Sequence, residues 1–333
     1  MNAHFPDREA IRTALTLAGR APSIYNSQPW RWQVSDDALD LLVDPDLRLP
    51  GADPDGRELI LSCGAALNHC VIALAALGWR ARVHRLPDPD NPDHLARIEV
   101  CCCDVDQVDV MLAAAIPRRR TDRRIYSSWP VPDGDIALMG ARAARSGVML
   151  RRVDPVDKLN KIVAQAVWSH AGNHDYVAEL TAWSGRYGSV AGVPARNIPT
   201  PSPAAVIPGR LFAGPALAQP PGVSPADDNA VILALGTQAD DRLARLRAGE
   251  ATSVVLLTAT SIGLASCPVT EPLEITETRD AIRSDVFGAS GYPQMLLRVG
   301  WAPVNADPLP STPRREVSDI VEWRTECEQH AFA

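Results

Sequence analysis

Two stretches of this chain leave little choice of place. GRELILSCGAALNHCVIALAALGW (56–79) is apolar on nearly every face, so it is predicted to be a helix buried on all sides. DDRLARLRAGEATSVVLLTATSIGLA (240–265) begins amphipathic and then turns apolar, which predicts a second long core helix. A shift of 185 positions superposes Arg57 on Arg242, Leu61 on Leu246, Gly64 on Gly249, Ala66 on Ala251 and Gly78 on Gly263. Each segment is the most apolar helix of its part of the chain, and each runs from one glycine to another fourteen positions later. This spacing predicts two related halves, 1–120 and 121–333, joined near residues 118–130. Each half is expected to be α+β, with a long core helix against an antiparallel-leaning sheet.

The rest of the chain fits that division. PDREAIRTALTLAGRA reads as a helix with Ile11, Leu15 and Ala18 on one face. WRWQV, ALDLLVDPD, RARVHRL and LARIEVCCC read as strands, and VDVMLAAAIPRRRTDRR opens as a helix. In the second half a helix is expected over 133–145, a strand over 148–153, two helices over 156–186, and strands at AVILALG and QMLLRVGWA. Between them lies a Pro-, Gly- and Ala-rich segment, about 190–226, too long for an ordinary connection and hence a lid or linker.

The formal net charge of −7 argues against nucleic-acid binding through bulk charge. No signal-peptide pattern opens the chain, and no apolar run is expected to span a bilayer, so a soluble cytoplasmic protein is expected. The seven cysteines show no metal spacing; Cys101, Cys102 and Cys103 are expected as small buried residues on a strand. His170 and His174 sit four apart with no third ligand nearby, which predicts no metal site. Phosphate-binding loops, dinucleotide fingerprints and serine-hydrolase motifs are lacking.

Four stretches carry more chemistry than turns need. RRRTDRR (118–124) concentrates guanidinium forks and a hydroxyl suited to an anion, although a solvated basic face fits the same residues. TPRRE brings Arg314 and Arg315, a plausible far side of the same clamp. GLASCPVTEPLE (263–274) offers either a backbone path against a flat ligand or an ordinary helix stop. APSIYNSQPW (21–30) combines two stiffening prolines with the donors and acceptors of Ser23, Asn26, Ser27 and Gln28, beyond what a turn requires.

In this combination the four stretches resemble the flavin-dependent nitroreductase superfamily, and the whole chain is similar to its mycobacterial dormancy-associated, Acg-type branch. The resemblance implies a nitroreductase-like fold and an FMN cofactor, with Arg119, Arg120, Thr121 and Arg123 at its phosphate and Arg314 or Arg315 closing the other side. It places Pro22, Ser23, Asn26 and Gln28 against the ring edge or ribityl chain, and the backbone of Val269, Thr270 and Glu271 near the ring. The order of motifs departs from the family. The arginine motif stands only in the second half and the P-S-x-x-N segment only in the first, which implies an internal pseudo-dimer with one FMN. NAD(P)H as donor and a nitro compound or quinone as acceptor follow from the same resemblance. No catalytic side chain is expected, since the flavin carries the redox chemistry. The alternative is a non-catalytic protein that sequesters FMN beneath the lid.

Overall fold

The computed structural model describes residues 5–324 apart from 187, 202–204, 206 and 289. Helix α1 (Arg8–Ala18) starts where the Asp7 carboxylate accepts from Ala10 N, and buries Ile11, Ala14, Leu15 and Ala18. Strands β1 (Trp30–Val34) and β2 (Ala38–Val43) follow. In β1 Trp30, Trp32 and Val34 point inward and Arg31 outward, the period-two pattern of a half-buried strand. Asp53 then accepts from the N–H groups of Glu58 and Leu59, capping the core helix α2 (Arg57–Ala76). Next come β3 (Trp79–Arg85), β4 (His94–Cys102) and α3 (Gln107–Ala115).

The second half runs α4 (Asp133–Ala144), β5 (Met149–Arg152), α5 (Val156–Ala171) and α6 (His174–Trp183). A small pair, β6 (Ser184–Arg186) and β7 (Val193–Pro194), opens the lid segment. Beyond it lie β8 (Val231–Thr237), α7 (Arg242–Ser261), β9 (Ala265–Pro268), α8 (Glu271–Glu274), α9 (Thr276–Phe287) and β10 (Tyr292–Gly300). The chain closes with α10 (Val317–Ile320) and β11 (Val321–Trp323).

The two halves share one plan. One sheet has the order β11-β1-β2-β4-β3 and the other β5-β8-β10-β9. In each, a strand hairpins or returns onto its neighbour, a long core helix follows, and two further antiparallel strands complete the sheet. Helices α2 and α7 cross face to face, and the glycines paired by the sequence repeat make that crossing possible. A Cβ on Gly64 would stand 2.2 Å from Leu246 O, and a Cβ on Gly249 would stand 2.1 Å from Leu61 O. The contact is reciprocal, as in a two-fold interface between subunits. Leu246 packs into the core of the first half, and Leu61 into that of the second. The chain is thus an α+β pseudo-dimer folded as one molecule.

Among the elements not legible beforehand, three shape the fold. Strand β9 occupies what reads as a crossover loop, α9 follows it, and β11 crosses back to pair in parallel with β1, Trp32 opposite Val321. The tail of the second half therefore completes the sheet of the first. Two expectations are corrected. Cys101 and Cys102 are exposed, because β4 has outrun β2 by that point and is covered only by edge strand β3. Helix α2 does meet the length and apolarity needed to cross a bilayer, but 78% of its apolar window is buried inside the protein. Cys327 and the end of the tail lie outside the described residues.

Candidate functional site

A cavity of about 250 Å³ lies between the halves. The first half contributes Pro22, Ser23, Tyr25 and Asn26 and one face of α2; the junction of the halves contributes Arg119, Arg120, Thr121 and Arg123, and the second half the segment after β9; lid residues including Val193, Pro199, Arg210 and Phe212 line it as well.

One end is a cluster of cations without an anion. Arg119 is 4% exposed, and neither its Nε nor its Nη1 has a hydrogen-bond partner. Arg20, Arg120 and Arg314 each also bury an unpartnered Nε. Burial, then the charges of Arg120, Arg20 and Arg123, push the Arg119 guanidinium down to about 10. Burial and the charges of Arg119, Arg20 and Arg120 push Arg314 to about 9. Among the described residues no carboxylate pairs with these four. Uncompensated buried charge of this kind is costly, and a bound polyanion relieves it. A phosphate dianion fits this donor set.

The stretch APSIYNSQPW builds the far side of that cluster, by a different route from the expected one. Tyr25, Asn26 and Gln28 all take positive φ angles, 47°, 57° and 57°. Non-glycine residues held there cost of order 1 kcal/mol or more each, so the surroundings must hold them. Asn26 Oδ1 accepts from Arg314 Nη1 at 2.8 Å, and its Nδ2 donates to Gly192 O and Pro313 O, both at 3.1 Å. Gln28 Oε1 accepts from Arg315 N at 2.8 Å, and its Nε2 donates to Val190 O at 3.0 Å. Both amides are thereby spent on the arginine tail and the lid, correcting the expectation that they address a ring edge. Ser23 lines the cavity, and its Oγ accepts from Gln28 N.

Other placements also differ from expectation. Arg315 lies outside the cavity lining, paired with Asp44 at 3.2 Å, so Arg314 is the tail arginine that faces the cluster. Arg123 turns toward the lid, with its guanidinium 4.9 Å from the Phe212 ring centre and, among the described residues, no ion-pair partner. Val269 N–H is taken by Leu296 O at 2.8 Å and is not available to a ligand. Thr121, Thr270 and Glu271 line the cavity.

The other end is acidic and sealed by the lid. Arg210 forms ion pairs with Glu274 and, at 3.9 Å, Glu271. It also donates to the Tyr25 hydroxyl and to Thr270 Oγ1. Glu271 additionally meets His170 Nδ1 at 3.2 Å and the Tyr176 hydroxyl at 3.3 Å. Burial raises both tyrosine hydroxyls, so they remain protonated donors. Sequence reasoning missed Arg20, Arg210, Glu58 and Glu274 as individual residues; Arg20 lies directly before APSIYN and Glu274 closes the stretch 263–274, whereas Arg210 and Glu58 had no neighbouring signal.

At the pseudo-equivalent position the described residues close on one another. Ala65 and Thr270 line the cavity, whereas their counterparts 185 positions away, Glu250 and Arg85, close on each other through two 2.7 Å hydrogen bonds.

Two related halves enclose a cavity with a cluster of unpaired arginines at one end, and relatives define the class. No protein-family model matches the chain. It is 69% identical over 326 residues to the Mycobacterium tuberculosis protein named "Putative NAD(P)H nitroreductase Rv3131", covering 98% of this chain and 95% of that one. It is 35% identical to "Putative NAD(P)H nitroreductase acg" of the same organism, covering 95% of this chain and 96% of that one. A distant likeness, at 14% identity and a TM-score of 0.41, joins it to a nitroreductase with bound FMN from Desulfitobacterium hafniense, over 65% of this chain and 98% of that one. The chain belongs to the nitroreductase family, in its Acg-type branch.

Proposed function

We propose that the protein is an FMN-dependent oxidoreductase holding one FMN between the halves 1–120 and 121–333. NAD(P)H is the donor in this reading, and a nitro compound or quinone the acceptor. One observation carries it: four arginines, with five buried unpartnered nitrogens between them, close one end of the cavity. The names of the relatives supply the redox class.

When bound, FMN supplies two-electron redox chemistry that no side chain here possesses. Arg20, Arg119, Arg120 and Arg314 bind the phosphate, with Asn26 holding Arg314 in position. Arg123 places an unpaired cation farther along the cavity, where it favours an electron-rich ligand. Phe212 and Tyr25, edge to face at 6.1 Å, exclude water from above. Glu250 and Arg85 fill the second position, which limits the chain to one site.

A second reading, flavin sequestration without turnover, is favoured by the Arg210 latch, which ties the lid to Glu274 and Glu271. Anaerobic addition of NADPH and NADH to the FMN-loaded protein separates the two. Bleaching of the flavin absorbance supports the oxidoreductase. No bleaching, with dithionite still reducing the flavin, supports sequestration. Failure to take up FMN refutes both.

A further inference from the structure

One acid in the cavity is left unused by the phosphate cluster and the lid. Glu58 lies in the first turn of α2, on the face that also turns Leu61, Ser62 and Ala65 toward the cavity. It is only 5% exposed. The cations nearest it are committed elsewhere. Arg57 grips both oxygens of Asp240 at 2.5 Å and donates to Gln294 Oε1, and Arg210 is held by Glu274 and Glu271. Among the described residues, the Glu58 carboxyl gains no hydrogen bond or ion pair.

The surroundings decide its charge. Asp53 approaches from the loop before α2, Glu274 from α8, Arg210 from the lid and Arg57 from the preceding position of α2; Glu274 and Arg210 pair with each other, and Arg210 also meets Glu271 and the Tyr25 hydroxyl. Burial, reinforced by Glu274 and Asp53, holds the carboxyl well above the ordinary range. An ionised form would be buried without a partner, which is the costlier state. The neutral acid instead presents an O–H to whatever occupies the cavity. The buried Thr252 hydroxyl, likewise unpartnered, lines the same space.

We propose that Glu58 is the proton donor for two-electron reduction of a quinone-class acceptor, resting on the flavin-site reading above. Reduced FMN, when bound, would supply two electrons and one proton as a hydride equivalent. Glu58 delivers the second proton to a quinone oxygen. The quinone leaves as hydroquinone, and the Glu58 carboxylate recovers its proton from solvent.

The test has two parts. Infrared spectroscopy of the ligand-free protein at neutral pH is expected to show one protonated-carboxyl C=O stretch that disappears in Glu58→Gln. Single-turnover oxidation of the dithionite-reduced, FMN-loaded protein by a benzoquinone is expected to slow about 100-fold in Glu58→Gln. Glu58→Asp is expected to restore part of the rate, at equal flavin content. If Glu58→Gln removes no protonated-carboxyl band, or oxidises as fast as the unsubstituted protein, the proposal is overturned. If the unsubstituted reduced protein does not pass electrons to the quinone, it is overturned as well. Those outcomes leave flavin binding standing, whereas a protein that takes up no FMN overturns the flavin reading itself.

Discussion

Arg314 Nη1 donates to Asn26 Oδ1 at 2.8 Å, joining the last turn-forming stretch of the chain to the first. That amide also holds Gly192 and Pro313, so one side chain aligns the tail, the lid and the arginine cluster. Asn26→Ala is expected to weaken FMN binding by about 10-fold or more, the loss of a hydrogen bond to a charged group being about 1.5–3 kcal/mol. Flavin fluorescence titration measures this, and an unchanged Kd would refute Asn26 as the aligning residue.

Arg119→Met is expected to act in opposite directions on the two forms. Removing an unpartnered buried cation stabilises the ligand-free protein by about 1 kcal/mol or more. It also removes a charged contact to the phosphate, weakening FMN binding about 10- to 100-fold. Thermal unfolding without FMN, beside a binding titration, reads both. A loss of ligand-free stability would show that the cluster is compensated in a way the structure does not contain.

Gly64→Ala and Gly249→Ala are each expected to destabilise by about 3 kcal/mol or more, or to prevent folding. A Cβ would lie within about 2.2 Å of a carbonyl oxygen belonging to the facing helix. Backbone cannot swing away as a side-chain tip can, so the helices must separate. Denaturant unfolding checks this. Equal effects at the two glycines are expected from their reciprocal geometry.

Glu250→Ala is expected to cost about 2 kcal/mol, below the usual penalty for breaking a fully buried pair because Arg85 is partly exposed. The double variant Arg85→Ala, Glu250→Ala is expected to bind no second FMN. It opens space without supplying an arginine cluster, so the flavin-to-protein ratio stays at one by absorbance. A ratio of two would show that cavity shape alone recruits the ligand.

His69 provides an acid-sensitive element. Its Nδ1 lies 3.0 Å from Ala65 O and 2.8 Å from Ser253 Oγ, and its Nε2 is buried without a partner. Burial, with the nearby arginines Arg119, Arg314 and Arg20, pushes it down to about 3. The unfolded chain therefore binds a proton that the folded one refuses between about pH 6.5 and 3. The stability contribution is fully present above pH 6.5 and is lost as pH falls, about 1.4 kcal/mol per unit. His69→Gln is expected to flatten that limb of the stability–pH curve. An unchanged slope would mean that His69 protonates in the folded state.

Much of the architecture was legible because it is written in periodic or repeated form. The alternation of Trp30, Trp32 and Val34 announces β1, and the matched spacing of Gly64 and Gly249 announces two related halves, though not that α2 and α7 would cross at those glycines. Pro22, Ser23, Asn26, Arg119, Arg120, Thr121, Arg123 and Arg314, all from stretches with surplus polar groups, line one cavity. Residues with no pattern around them were invisible. Arg210 is a single arginine in a Pro-rich segment, Glu58 a first-turn acid, and Arg20 a helix-end arginine; each matters only through what the fold brings beside it.

Local and repeated signals determine that there are two halves, which helices lie at their centre, and which stretches carry surplus polar groups. They cannot assign a partner to a hydrogen-bonding group, because an amide or guanidinium has several equivalent ways to be satisfied. The tertiary structure decided that Asn26 and Gln28 hold the tail and lid, that Arg315 belongs to Asp44 and Arg314 to the cavity, and that Glu58 faces the cavity with no counter-ion. Each choice depends on burial and on groups hundreds of residues away, which is information held in three dimensions only.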